Sequence, residues 1–249
     1  MTRQFHSALN RMALFTAFLL AGLILFYGPF LRVAAANVFL NGIIIGTTIF
    51  GIGLCFVEMF KLLPEYKWAR AYFSGRKNAA LPPRLLRPVA LILRARPVRI
   101  SATTLNGMLE MILNRFEDSR ESVRYITNTL IFLGLLGTFW GLILTVGGFS
   151  DLIGALDFSD EAVLQNMQAG LTRPLSGMAT AFTSSLMGLA GSLTIGFLGL
   201  QVQLAQNAIF REVEDYLSAH TSVVTADTVA TILPQINDNI REIKDTFTE

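Results

Sequence analysis

The order of apolar and polar positions along the chain predicts helices, and long ones. Met12 to Leu31 and Val33 to Val57 each offer about 20 apolar residues, enough at roughly 1.5 Å each to cross a hydrocarbon core of about 30 Å. Gly28, Pro29 and Arg32, with Asn37 just beyond, mark the break between these runs. A third run covers Ile126 to Phe149. A fourth opens near Pro174, which suits a first helical turn because it has no N–H to leave unpaired, and continues to about Leu200. The pattern is that of an all-α membrane protein with four transmembrane helices in two hairpins. Arg3 and Arg11 ahead of an apolar run look like the start of a signal peptide. No small-residue cleavage site followed by a polar mature chain appears, however, and the second run follows directly.

Charge sharpens this picture. Only 15% of the 249 residues are charged, where a soluble domain carries about 25%. Between Met12 and Val57 the one charge is Arg32, and the stretches Ile126–Phe149 and Pro174–Phe210 carry none. This excludes a disordered chain and argues against an ordinary soluble enzyme. Residues 58–125 hold 13 Lys/Arg against 6 Asp/Glu. The loop 150–173 holds Arg173 against Asp151, Asp157, Asp160 and Glu161. Lys and Arg in short loops set orientation, so the basic loop is expected in the cytoplasm with both termini. Its basic charge serves topology and anionic lipid headgroups, and no nucleic-acid partner is expected. The tail from Gln201 reverses the balance, with 3 basic and 8 acidic residues.

Between the spans, Pro64, Pro82, Pro83, Pro88 and Pro97 are expected to exclude long helices from Lys61 to about Pro97. From Ser101 the spacing turns helical. Leu105, Met108, Leu109, Ile112, Leu113 and Phe116 recur at three- and four-residue steps, predicting a helix that continues into the third span. In the outer loop, Ser159 before Asp160 and Glu161 reads as an N-cap, either of a short surface helix with Val163, Leu164 and Met167 or of a solvated connector. In the tail, Val229, Leu233, Ile236, Ile240, Ile243 and Phe247 alternate steps of four and three. That is a coiled-coil seam or one amphipathic helix packed on its own subunit.

Catalytic chemistry is missing. The one cysteine, Cys55, lies inside the second span and allows no internal disulfide. His6 and His220 lack ligand-type neighbours, and no phosphate loop or nucleophile elbow appears. Neither an enzyme activity, nor a cofactor, nor a metal is expected. Glu58 sits at the inner end of span two and reads as a solvated end-cap.

The last two spans are instead rich in small and hydroxyl residues. Gly137 and Gly141 form a GxxxG pair that permits close helix approach. Thr138 and Thr145 lie seven apart on one face. Span four carries Gly177, Ala181, Ser184, Gly188 and Gly191 on one stripe, flanked by Thr180, Thr183, Ser185 and Ser192. Each hydroxyl alone is explained by a bond to the carbonyl one turn back. Together they also suit helices that line a narrow polar cleft or grip another helix. Neither span carries an ionisable group, the usual proton relay, so proton conduction here needs a titrating group from a second subunit.

Leu133 to Leu142 (LGLLGTFWGL), the acidic outer loop, Pro174 and Gly177 to Leu193 (GMATAFTSSLMGLAGSL) resemble the MotA/TolQ/ExbB proton-channel family over residues 126–210. The four-span layout resembles the flagellar-stator branch, MotA, and the GTFWG core the ExbB/TolQ branch. The opening Leu63-Pro64-Glu65-Tyr66-Lys67-Trp68 is similar to that of MotA-like proteins of alphaproteobacteria, and the phage-defence subunit ZorA pairs a similar core with a long tail. The resemblance implies an inner-membrane homo-pentamer around a single-span MotB/ExbD-like partner whose aspartate carries the proton. It implies that Thr138 is the span-three hydroxyl of the pathway and Ser185 the span-four hydroxyl, where the family has threonine. Ser184 competes for that role, Thr145 lies further along, and Pro174 matches the proline that opens the last span of stators.

The implied organisation is a cytoplasmic N-terminus (1–11), a first hairpin (12–57), a basic cytoplasmic loop and helix (58–125), a channel core (126–210) and a cytoplasmic tail (211–249). A structural membrane scaffold organised by its tail is the competing reading. A solute transporter is disfavoured, because four spans show no inverted repeat or broken helix.

Overall fold

The computed structural model describes residues 2–73, 84–94, 102–154, 170–219 and 234. The outer-loop cap at Ser159, the tail seam from Val229 to Phe247, His220 and prolines 82, 83 and 97 lie outside the described residues.

All elements among the described residues are helices: α1 (Thr2–Leu25), α2 (Tyr27–Ala35), α3 (Val38–Phe73), α4 (Arg87–Arg94), α5 (Ala102–Gly154) and α6 (Thr172–Ala219). Four of them, α1, α3, α5 and α6, are long and apolar enough to cross a membrane. Their exposed side chains agree with that solvent: Phe18, Ile24, Phe39, Phe139, Phe182 and Leu193 are each at least 66% exposed. In hydrocarbon such positions carry no penalty.

The first span ends earlier than the expected Leu31, at Leu25. The cause is Pro29, which offers no N–H to the Leu25 carbonyl and whose ring crowds it. The chain turns at Phe26 and resumes as the nine-residue α2. A second break follows, and α3 starts at Val38, later than the expected Val33. Asn37 caps it, its side-chain oxygen accepting the Leu40 N–H at 3.1 Å.

Pro64 does not end a helix, contrary to the expectation from the proline-broken loop. It lies inside α3, which runs on to Phe73. A mid-helix proline costs about 3 kcal/mol. Buried side chains on both sides of it, Met59, Leu62, Tyr66, Trp68 and Ala69, together outweigh that cost, since full burial of a side chain of Met or Leu size alone supplies on the order of 1.5–3 kcal/mol. The expected continuity of α5 is present: 53 residues form one helix of about 80 Å, at about 1.5 Å per residue. Pro174 occupies the first turn of α6, which extends past Leu200 to Ala219.

The chain divides into two compact units. The first is Met1–Pro64 with Phe116–Ala208, and the second is Glu65–Arg115 with Ile209–Glu249. In the second, Leu86 just before α4, Val89 and Ala90 of α4, Met108 and Ile112 of α5, and Ile209, Val213 and Leu217 of α6 are buried. Phe73 stacks on Tyr216 with ring centroids 4.2 Å apart. The buried Glu65 carboxylate accepts the N–H groups of Arg84, Leu85 and Leu86 at 2.9, 2.7 and 3.2 Å. It thereby pins the bend that leads into α4, where unpaired N–H groups favour an anion.

Candidate functional site

The site lies in the first unit, where α3, α5 and α6 meet. Small residues close the α5–α6 seam so tightly that most have no room for a larger neighbour. A β-carbon at Gly141 would sit 2.5 Å from the Ala181 nitrogen and 2.6 Å from the Gly177 oxygen. One at Gly188 would sit 2.7 Å from the Leu130 oxygen and 2.8 Å from Gly134 Cα. One at Gly148 would sit 2.8 Å from the Pro174 nitrogen, and Gly134 faces Ser185. Contacts that climb one helix while descending the other make the pair antiparallel.

The stripe on α6 sits in the crease between two helices and serves both. Gly177, Ala181 and Gly188 face α5, whereas Gly191 faces Thr48 of α3 and Leu130 of α5. Gly137 on α5 has both Ser184 of α6 and Leu40 of α3 against it. All five glycines read as packing positions therefore stand at close helix contacts, as does Pro174.

The hydroxyl residues divide sharply. Ser184 is fully buried, and its Oγ donates to Asn41 Oδ1 at 2.8 Å. Asn41, also fully buried, spends its Nδ2 on the Val33 carbonyl at 2.9 Å. Thr180 donates to Ser176 O at 3.0 Å and reaches Ala36 O at 3.4 Å. Thr145 is buried, donating to Gly141 O at 2.8 Å and lying 3.3 Å from Pro174 O. These groups reach carbonyls at the α2–α3 break and in the first turn of α6, and they fasten helices together.

Thr138 and Ser185 are different. Both are half-buried, and each follows by one residue a member of the Gly137–Ser184 contact. In antiparallel right-handed helices the next residue of each partner turns to the same edge of the seam. That edge is opposite to the one covered by Leu40 and Asn41 of α3. Thr138 Oγ1 donates to Leu135 O at 2.6 Å within its own helix, and among the described residues none accepts a bond from the Ser185 hydroxyl. Thus Thr138 shares an edge of the seam with Ser185, whereas Thr145, although 138 and 145 share a helical face, sinks into the seam opposite the missing side chain of Gly177.

Beyond the apolar stretch the same three helices carry a polar layer. Glu58 accepts bonds from Lys61 at 2.7 Å and from Ser119 at 3.0 Å, so it ties α3 to α5 and is not merely a solvated end. Arg120 donates to Gln206 Oε1 at 3.0 Å and Asn207 Oδ1 at 2.7 Å, tying α5 to α6. At the opposite ends of α5 and α6, Arg173 pairs with Asp151 in the open.

Asn41 and Arg120 did not emerge from the sequence as site residues. The signal for Asn41 was present, since it is the one amide in an otherwise apolar run beginning at Val38. Among the described residues no cluster of His, Cys, Asp or Glu could hold a metal. No family model, curated protein or solved structure matches the chain.

Proposed function

We propose that this chain is the ring-forming subunit of an inner-membrane, ion-driven machine of the MotA/TolQ/ExbB type. Five copies surround the single span of a MotB/ExbD-like partner, whose aspartate carries the proton. The observation that supports this most is the edge shared by Thr138 and Ser185. Two hydroxyls stand half-exposed on one side of a tightly closed seam, in spans that hold no ionisable group of their own. Such an edge hydrogen-bonds a carboxyl brought by another helix and orients water beside it, without titrating. Ser184 and Thr145 act as fasteners, because their hydroxyls are already committed between helices.

In this reading the basic segment 58–125 and both termini lie in the cytoplasm, following the Lys/Arg bias. Burial of the α3 edge of the seam leaves the Thr138 edge free to face the ring axis. The test is Thr138→Val combined with Ser185→Ala in the complex assembled with its single-span partner. Ion-driven function should be lost while assembly persists. Retained function in an assembled complex contradicts the channel reading and leaves the scaffold.

A further inference from the structure

α1 packs against the rest of the first unit at one end only. Phe5, Ala8 and Met12 are at most 2% exposed, and Phe15 meets Phe197 with centroids 4.2 Å apart. Beyond Met12 no residue of α1 is buried. The helix therefore diverges from α3 and α6, and the gap is a cavity of about 420 Å³ walled by α1, α2, α3 and α6. Its walls include Leu20 and Leu23 of α1, Phe30 of α2, Ile45 and Ile49 of α3 and Ala190 of α6.

We propose that this cavity holds one acyl chain of a membrane phospholipid, wedged between α1 and the α3–α6 pair. The first reason is chemical. Three threonines border the cavity, and each spends its hydroxyl on its own helix: Thr16 on Met12 O at 2.9 Å, Thr48 on Ile44 O at 2.8 Å and Thr194 on Ala190 O at 2.8 Å. A polar ligand finds no donor there, whereas an apolar one loses nothing. The second is position. The walls lie in the interior of three apolar helices, and Leu20 and Ile49 are 56% and 65% exposed, so the gap opens sideways at hydrocarbon depth. The inference does not depend on the ion-channel reading.

The full chain in vesicles of phosphatidylethanolamine and phosphatidylglycerol tests it, with a phospholipid carrying a diazirine near the end of one acyl chain. Irradiation, read by fragmentation to single residues, should concentrate label on Leu20, Ile45 and Ala190, above that on the outward-facing Leu193. Ala190→Trp fills the cavity and should bring the labelling down to the Leu193 level. Ile49→Trp, on the α3 wall, serves as a second filler if Ala190→Trp does not fold. Uniform labelling of all lipid-facing positions, label undiminished in a folded filled variant, or crosslinks from α1 to a second copy in place of lipid would each overturn the proposal.

Discussion

Ser184 Oγ and Asn41 Oδ1 share a hydrogen bond of 2.8 Å between two helices whose side chains at that point are wholly removed from solvent. The bond fixes the rotation of α6 against α3. Because Ser185 follows Ser184, it also fixes which edge of the seam Ser185 occupies. Buried interhelical bonds of this kind are worth about 0.6 kcal/mol on average and up to about 1.7 kcal/mol in membrane proteins. A double-mutant cycle on Asn41→Ala and Ser184→Ala, read from unfolding in detergent, should return a coupling in that range. Asn41→Ala alone should cost more than Ser184→Ala, because it also removes the Nδ2 bond at 2.9 Å from the Val33 carbonyl, which keeps only the longer Ala36 N–H contact at 3.3 Å.

The seam predicts opposite fates for two glycines. Gly141→Val should destabilise the chain by about 1–3 kcal/mol or more, since even a β-carbon there meets backbone at 2.5 Å. Gly46 on α3 has open space around it, so Gly46→Ala should be neutral or stabilising by up to about 1 kcal/mol. Thermal melts of the two purified variants check the contrast.

Two arginines offer a similar comparison. Removing Arg120 takes the donor from Oε1 of the buried Gln206, and Arg120→Ala should cost about 1–3 kcal/mol. The Arg173–Asp151 pair is more than half exposed on both sides, and Arg173→Ala should cost less than about 1 kcal/mol and less still in high salt. Melting at low and high salt separates the two.

In the second unit, Glu65→Gln should weaken the anchor of the bend before α4. A neutral amide accepts the three N–H groups less strongly than a carboxylate. Hydrogen exchange of the Arg84, Leu85 and Leu86 amides should quicken, with amides in the middle of α5 unchanged.

Much of the fold was legible because lipid demands it. Absent charge marks spans, and the three- and four-residue spacing from Leu105 to Phe116 showed α5 continuing into the third one. Pro29 and Pro64 show where local rules stop. Each lacks an N–H, yet Pro29 coincides with a break while Pro64 is carried through by side chains buried on both sides of it, which spacing does not reveal. The small residues pointed to tight packing. They did not say that the α6 stripe lies in a crease shared by α3 and α5. Thr138 and Thr145 looked equivalent at a seven-residue spacing, and only the partner helix, with Gly177 opposite Thr145 and Ser185 on the same edge as Thr138, distinguishes them.

The central claim is that the Thr138–Ser185 edge serves a carboxyl delivered by a partner span. It is tested most directly by proton uptake into vesicles holding the assembled complex, with native mass measured on the same sample. Five copies of this chain with its single-span partner are predicted, with uptake abolished in the Thr138→Val, Ser185→Ala double variant at unchanged mass. Undiminished uptake at unchanged mass, or a wild-type chain that stays monomeric beside its partner, would contradict it.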